Sequence, residues 1–214
     1  LPPARSIAHV SLLYLARHAG LSGFARSRYV TRLRRDRDAG NTGFNADGKL
    51  IAGLKADLQF GTAGAGVTEA VATVSPRLRG RYRALAPGLL TYLRAMPERL
   101  RCAPVSLSQP TVVVADLPIK LRAHLGVQHP DGSVEVVWFW CDEEPPKSET
   151  VALVHHLLAE HLELLHPAAS RVVILDVRRG TRYEAPLGIS GHNLDGFIAS
   201  EAAAFRASWS AAAA

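Results

Sequence analysis

The chain has 214 residues, 48% of them hydrophobic, enough to bury a core as one domain or as one domain with an appendage. It has no run of eighteen apolar residues, and Leu1-Pro2-Pro3 lacks the basic-then-apolar layout of a signal peptide. Cys102 and Cys141 are too few for a disulfide framework or a four-cysteine zinc site, so reduced thiols, a cytoplasmic setting and no membrane contact are expected.

The net charge of +6 is unevenly spread. Residues 1–110 hold 17 Lys and Arg against 6 Asp and Glu, a net of +11, and residues 111–214 hold 8 against 13, a net of −5. Such a split fits either a surface that meets a polyanion or contact between the two halves. Arginine outnumbers lysine 21 to 4, which a GC-rich coding bias also produces, so charge alone leaves both open.

Apolar residues at Ile7, Val10, Leu13, Tyr14 and Ala16 predict a helix over Ser6–Ala19 ending at Gly20. Phe24–Arg37 continues as a helical or irregular segment, with Arg26, Arg28, Arg32, Arg34, Arg35 and Arg37 interleaved with Tyr29, Val30 and Leu33. Asp38–Asp47 is turn chemistry, Lys49–Phe60 returns to mixed apolar periodicity, and Gly61–Gly66 reads as a flexible break. Ser75–Met96 is expected as two helical pieces divided at Pro87-Gly88, the first carrying Arg77, Arg79, Arg81 and Arg83.

Strands are expected at Val105–Ala115, around Thr111-Val-Val-Val114, and at Lys120–Gln128, with His129-Pro-Asp-Gly132 as a hairpin loop. Val134–Cys141 is apolar on both faces except for Glu135, the pattern of a central buried strand. Ser148 is a candidate N-cap for a helix over Glu149–His166, ended by Pro167. Arg171–Val177 follows as a fourth strand, parallel because a helical crossover precedes it, and a C-terminal helix starts near Gly196. The fold class expected is α/β (α+β in strict terms), a mixed sheet of about four strands flanked by helices. The N-terminal helices would cover one face and the Glu149–His166 helix the other. The expected divisions are a basic helical part over 1–104, an α/β core over 105–186, and a C-terminal loop and helix over 187–214.

The order strand, strand, hairpin, strand, helix, strand between Val105 and Tyr183 resembles the PD-(D/E)XK nuclease superfamily, in particular its RecB-type exonuclease branch. Leu121–Val127 stands where that branch has a strand ending in an aspartate. His129–Gly132 matches its turn, and Val136–Cys141 the strand that ends in Asp/Glu-x-Lys. The resemblance covers about a third of the chain and is one of layout. It implies a restriction-endonuclease-like core. In the family, carboxylates hold a divalent metal that stabilises negative charge on a phosphate, and strand alternation sets the lysine on the same face. Here Gly126 takes the place of the first carboxylate, and Trp138 and Trp140 those of the second carboxylate and the lysine. Neither residue type ligates magnesium or activates water, so no catalysis is expected at that site. Migration of the function to Glu144, Lys147 and Glu149, with Mg2+ as cofactor, is the alternative; the plainer reading is a solvated acidic loop with Glu149 favouring a helix N-terminus.

Three further constellations carry less. His155, His156, His161 and His166 lie on one helix, but the spacing is not that of HExxH zinc proteases, so surface histidines and no resident metal are expected. Gly61–Gly66 lacks the Lys-Ser/Thr of a P-loop. Ser190, His192 and Asp195 are close in the chain, which does not make a triad. The arginines are stronger: guanidinium groups at Arg26, Arg28, Arg32, Arg35, Arg77, Arg79, Arg81 and Arg83 match phosphate oxygens, and Tyr29 and Tyr82 offer stacking rings. The expected function is a catalytically inactive nuclease-fold protein that binds DNA or RNA or docks within a nucleic-acid-handling assembly. The alternatives are an active metal-dependent nuclease with migrated residues, and a protein-interaction module.

Overall fold

The computed structural model describes residues 9–40, 45–96, 101–184 and 191–212. Ser6–Ala8 of the expected first helix, Asn41–Phe44 of the turn segment and Ser190 fall outside them. In chain order the elements are β1 (Val10–Ser11), α1 (Leu12–Gly20), α2 (Phe24–Asp38), α3 (Gly48–Phe60), α4 (Ala65–Thr73), α5 (Pro76–Ala95), β2 (Ala103–Val105), β3 (Thr111–Val114) and β4 (Leu117–Lys120). There follow β5 (Leu125–Gln128), β6 (Val134–Trp140), α6 (Ser148–Ala159), α7 (Leu162–Leu165), β7 (Ala169–Asp176), β8 (Thr181–Tyr183) and α8 (Gly191–Ala211).

The class is mixed α and β, with two sheets in place of the one expected. Five strands lie in the order β2-β5-β6-β7-β8 and three in the order β1-β4-β3. β6 is central: all seven residues are buried, β5 pairs with it antiparallel, and β7 pairs parallel across the α6 crossover. A strand with helices over both faces can be apolar on both, and β6 is so at every position but Glu135.

Each expected strand between 105 and 128 divides in two. Val105–Ala115 splits because Pro110 has no N–H to give a ladder, and its carbonyl instead accepts from Leu121 N–H at 2.8 Å. The chain thus passes from β2 in the larger sheet to β3 in the smaller, and returns the same way between β4 and β5. At the return, His124 substitutes for strand backbone, its Nδ1 accepting from the Phe139 N–H at 2.9 Å. β3 and β4 are joined by Ala115 and Asp116, both at positive φ (45° and 59°), the conformation of a two-residue hairpin turn.

Alternation along β6 sends Val136, Trp138 and Trp140 to one apolar core and Val137 and Phe139 to the other. The first core is closed by α1, α2, α6 and α8, the second by α3, α4 and α5. The N-terminal helices therefore divide between the two faces, with α1 and α2 beside α6, and do not share one face as expected. A boundary at 104/105 would also cut β2, which pairs with β5 through Ala103–Val105.

Five helix boundaries differ from expectation. α1 starts at Leu12, with Ser11 as its N-cap, because Val10 and Ser11 of the expected first helix pair with β4 as a strand. α5 is one helix through Pro87-Gly88: Pro87 sits inside it, Thr91 Oγ1 donates to the Pro87 carbonyl at 3.0 Å, and Gly88 is there because the Val177 carbonyl lies against it. A Cβ at Gly88 would stand 1.8 Å from that oxygen. α6 begins after Lys147, with Ser148 inside the helix, and the run to His166 breaks into α6 and α7 at Glu160-His161. α8 starts at Gly191, five residues before Gly196.

Candidate functional site

The positions that the family resemblance marks, Gly126, Trp138 and Trp140, do share one face of the five-stranded sheet. Gly126 pairs with Val136 and Val105, and a Cβ there would meet Leu107 Cδ2 and Val105 Cγ2, each at 2.8 Å. The space that a carboxylate would need is filled by leucine and valine methyls. Trp138 is 1% exposed, with the His124 ring edge-on at 5.8 Å and the Trp140 ring at 6.1 Å. Trp140 Nε1 donates to the Glu144 carbonyl at 2.7 Å and so pins the loop that leaves β6. The face is packed core, closed by α1, α6 and α8.

The migrated set lies at the surface. Glu144, Lys147 and Glu149 are all exposed. Glu149 accepts from Ser148 Oγ at 3.1 Å, and its carboxyl is held below the ordinary range first by the backbone N–H at the start of α6 and then by Ser148. Among the described residues, neither Glu144 nor Glu149 belongs to a group of three metal-capable side chains.

Where β6 ends, charged residues are tied in pairs. Arg17 Nε donates to Asp142 Oδ2 at 2.7 Å, and Arg81 makes two 2.7 Å bonds to the Asp47 carboxylate. Burial raises the Cys141 thiol far above its ordinary range, with Asp47 adding to the effect, so this cysteine is an inert packing group. Burial also pushes His124 down to about 4, in keeping with a neutral ring whose Nδ1 accepts a backbone proton.

The opposite face of β6 holds a buried charge network. Glu135, 1% exposed, accepts from Tyr92 Oη at 2.8 Å, Arg182 Nη2 at 3.1 Å and Arg171 Nε at 3.1 Å. Arg171 Nη2 donates to His129 Nε2 at 2.8 Å, and His129 Nδ1 lies 3.7 Å from the Cys102 sulfur. Since a guanidinium only donates, the neutral His129 ring carries its proton on Nδ1, facing that sulfur. One buried carboxylate with three donors fixes α5, the β5–β6 hairpin and β7–β8 relative to one another. The sequence signal was a single glutamate in an otherwise apolar strand; its partners lie 36 to 47 residues away.

The arginines fall into two groups. Arg26 is structural, pairing with Glu201 at 2.9 Å and donating to the Leu21 carbonyl at 2.7 Å, and Arg81 is held by Asp47. Arg34 donates to the Trp209 carbonyl at 2.6 Å, and the Arg37 guanidinium lies 5.6 Å from that residue's ring, which seats α8 on α2. Arg28, Arg32, Arg35, Arg77, Arg79 and Arg83 are exposed, and none of them has a carboxylate partner among the described residues. Arg32 lies over the Tyr29 ring at 5.8 Å, but Tyr29 is buried and not open to a base; Tyr82 is buried in the core. Arg79 and Arg83, one turn apart on α5, line an open groove of roughly 560 Å3 between α4 and α5, floored by Val71, Ala86, Pro87 and Leu90.

The Gly61–Gly66 loop already holds an anion of its own chain. The buried Asp57 carboxylate accepts from Gly66 N–H at 2.8 Å, Val67 N–H at 2.9 Å and the Thr62 hydroxyl. These are the N–H groups at the start of α4 that a phosphate would need. Gly66 and Gly53 instead let α3 and α4 approach closely, each leaving 2.4 Å between a would-be Cβ and the other's carbonyl oxygen.

No family model matches the chain, and no curated protein matches it. Among solved structures, the crystal structure of SSO0001 aligns over 84% of this chain and 85% of its own, at 11% identity and a TM-score of 0.29. Among the described residues, no helix is long and apolar enough to cross a membrane.

Proposed function

We propose that this chain is a catalytically silent, nuclease-like α/β protein that binds nucleic acid through the arginine face of α5. The observation that carries the reading is the contrast on that helix: Arg81 is neutralised by Asp47, whereas Arg77, Arg79 and Arg83 are exposed with no carboxylate partner among the described residues. Arg79 and Arg83 share one stripe along the groove, and Arg77 lies around the helix from them, so backbone phosphates on two sides of α5 are within the reach of the three. The packing around Gly126, Trp138 and Trp140 supports binding without cutting, because it leaves no carboxylate pair for a metal.

Docking within an assembly is a second reading, favoured by the exposed rings of Phe24 and Phe60 at the start of α2 and the end of α3. Neither ring is part of the α4–α5 groove.

The test is binding of a labelled DNA duplex across a salt series. Three phosphate contacts correspond to a log–log slope of about −2.7, at about 0.9 per phosphate. Arg79→Ala with Arg83→Ala should flatten it by about 1.8 and weaken every sequence alike, while Tm stays constant because neither guanidinium has an internal carboxylate partner. A slope near zero, or one the double variant leaves unchanged, removes the proposal.

A further inference from the structure

The histidine helix gains a partner that its own spacing does not show. His156 lies in the last turn of α6 and Glu160, one turn on, caps that helix, while α8, packed across it, brings in Asp195 from 39 residues along the chain. His156 Nε2 is 2.7 Å from Asp195 Oδ1 and 3.6 Å from Glu160 Oε2, and the three ligand atoms all lie within 4.8 Å of one another. No other three His, Cys, Asp or Glu side chains gather in this way among the described residues.

Three features make this more than an ion pair. His156 Nε2 is within hydrogen-bond reach of Asp195 but not of Glu160, which at 3.6 Å lies beyond it. Neither Glu160 nor Asp195 is paired with a lysine or arginine among the described residues, so His156 is the one basic partner that the two carboxylates share there. The spacing is also that of ligands: bonds of about 2.0–2.2 Å from a metal to nitrogen and oxygen set neighbouring donors roughly 3–3.5 Å apart. The separations of 2.7 and 3.6 Å from His156 Nε2 to the two carboxylates bracket that value. The imidazole is 15% exposed, while the carboxylates, at 55% and 59%, reach it from the solvent side.

We propose that His156, Glu160 and Asp195 form a binding site for a borderline divalent transition cation, of the zinc, cobalt and nickel class, that staples α8 onto α6. An imidazole nitrogen with two carboxylate oxygens suits those ions; magnesium and calcium take sites built from oxygen alone. The remaining positions face solvent and take water. The consequence is structural. α8 carries Leu194, Ile198, Ala202, Phe205 and Trp209 into the core that covers Trp138 and Trp140, so a cation bridging the two helices holds that cover closed. The site is independent of the arginine face and of whether the chain binds nucleic acid.

The experiment is thermal unfolding of chelator-stripped protein at pH 7.5 with Zn2+, Co2+ or Mg2+, alongside Asp195→Asn and Glu160→Gln, two exposed substitutions that keep size and shape. A ligand present at a hundredfold its Kd is expected to raise Tm by roughly 5–10 °C for a chain of this length. Zn2+ and Co2+ should give that rise, Mg2+ should not, and either variant should abolish most of it; the Co2+ complex should also show a visible d–d band that the variants lack. If Zn2+ leaves wild-type Tm unchanged while metal-free Asp195→Asn is destabilised, the group is an ion pair and the proposal fails. If the rise persists in both variants, the metal binds elsewhere and the proposal fails equally.

Discussion

Two alanine substitutions in the same helix should have opposite signs. Gly80 and Gly88 both lie within α5, and each gains about 0.5–1 kcal/mol of helix propensity on conversion to alanine. A Cβ at Gly80 meets nothing within 4 Å, so Gly80→Ala should keep that gain and raise Tm by about 1–4 °C. A Cβ at Gly88 would lie 1.8 Å from the Val177 carbonyl oxygen, 2.8 Å from its carbon and 3.0 Å from Gly180 N. All three are backbone atoms of the turn that joins β7 to β8, so no rotamer change relieves them. α5 must move off the sheet, and Tyr92, which donates to Glu135, moves with it. Overpacking of this kind costs about 3 kcal/mol or more, a fall in Tm of roughly 6–12 °C for a domain of this size. Differential scanning calorimetry of both variants at one pH provides the comparison. Equal shifts of the same sign would refute the close approach of α5 to the sheet, and with it the explanation of why Pro87-Gly88 does not break the helix.

Two further outcomes follow from the core. His124 is held near 4, below its ordinary value of about 6.5, so between those pH values the unfolded chain binds more protons than the folded one. Stability is therefore full above about pH 6.5 and falls as pH drops toward 4, by up to about 3 kcal/mol, with His18, lowered first by burial, acting in the same direction. Urea midpoints over that range should show this acid limb, and His124→Asn, which keeps an acceptor for the Phe139 N–H, should flatten it; an unchanged limb would assign the loss to other groups. In hydrogen exchange, the Val134–Trp140 amides should be among the slowest in the chain, and fast exchange there would contradict the central placement of β6.

What the sequence made legible was set by pattern of short range. The unbroken apolar run of β6, the capable helix after it and the β-branched run of β7 sufficed for a parallel pair with a crossover, and His129–Gly132 for the hairpin. The first division carried a local mark in Pro110, whereas the break at 121–124 depends on an imidazole standing in for backbone, which no local pattern marks. Gly88 reads locally as a helix breaker, and only the neighbouring turn shows that it is needed for approach. Candidate site residues fared according to the same rule. Gly126, Trp138 and Trp140 share a face because strand alternation requires it. The tie between Arg81 and Asp47 spans 34 residues and left no signal in a run that reads as four equivalent arginines. Asp195 beside His156 is likewise a product of how α8 packs.

Catalytic silence at the sheet face is tested most directly by a cleavage assay. Labelled single- and double-stranded DNA and RNA would be incubated with excess protein in Mg2+ and, separately, Mn2+, and the products resolved by length. With leucine and valine methyls against Gly126 and indoles at 138 and 140, every substrate is expected to remain at full length, whatever fraction is bound. Metal-dependent shortening that disappears in Glu149→Ala would contradict this, and would place an active centre on the exposed residues that follow β6.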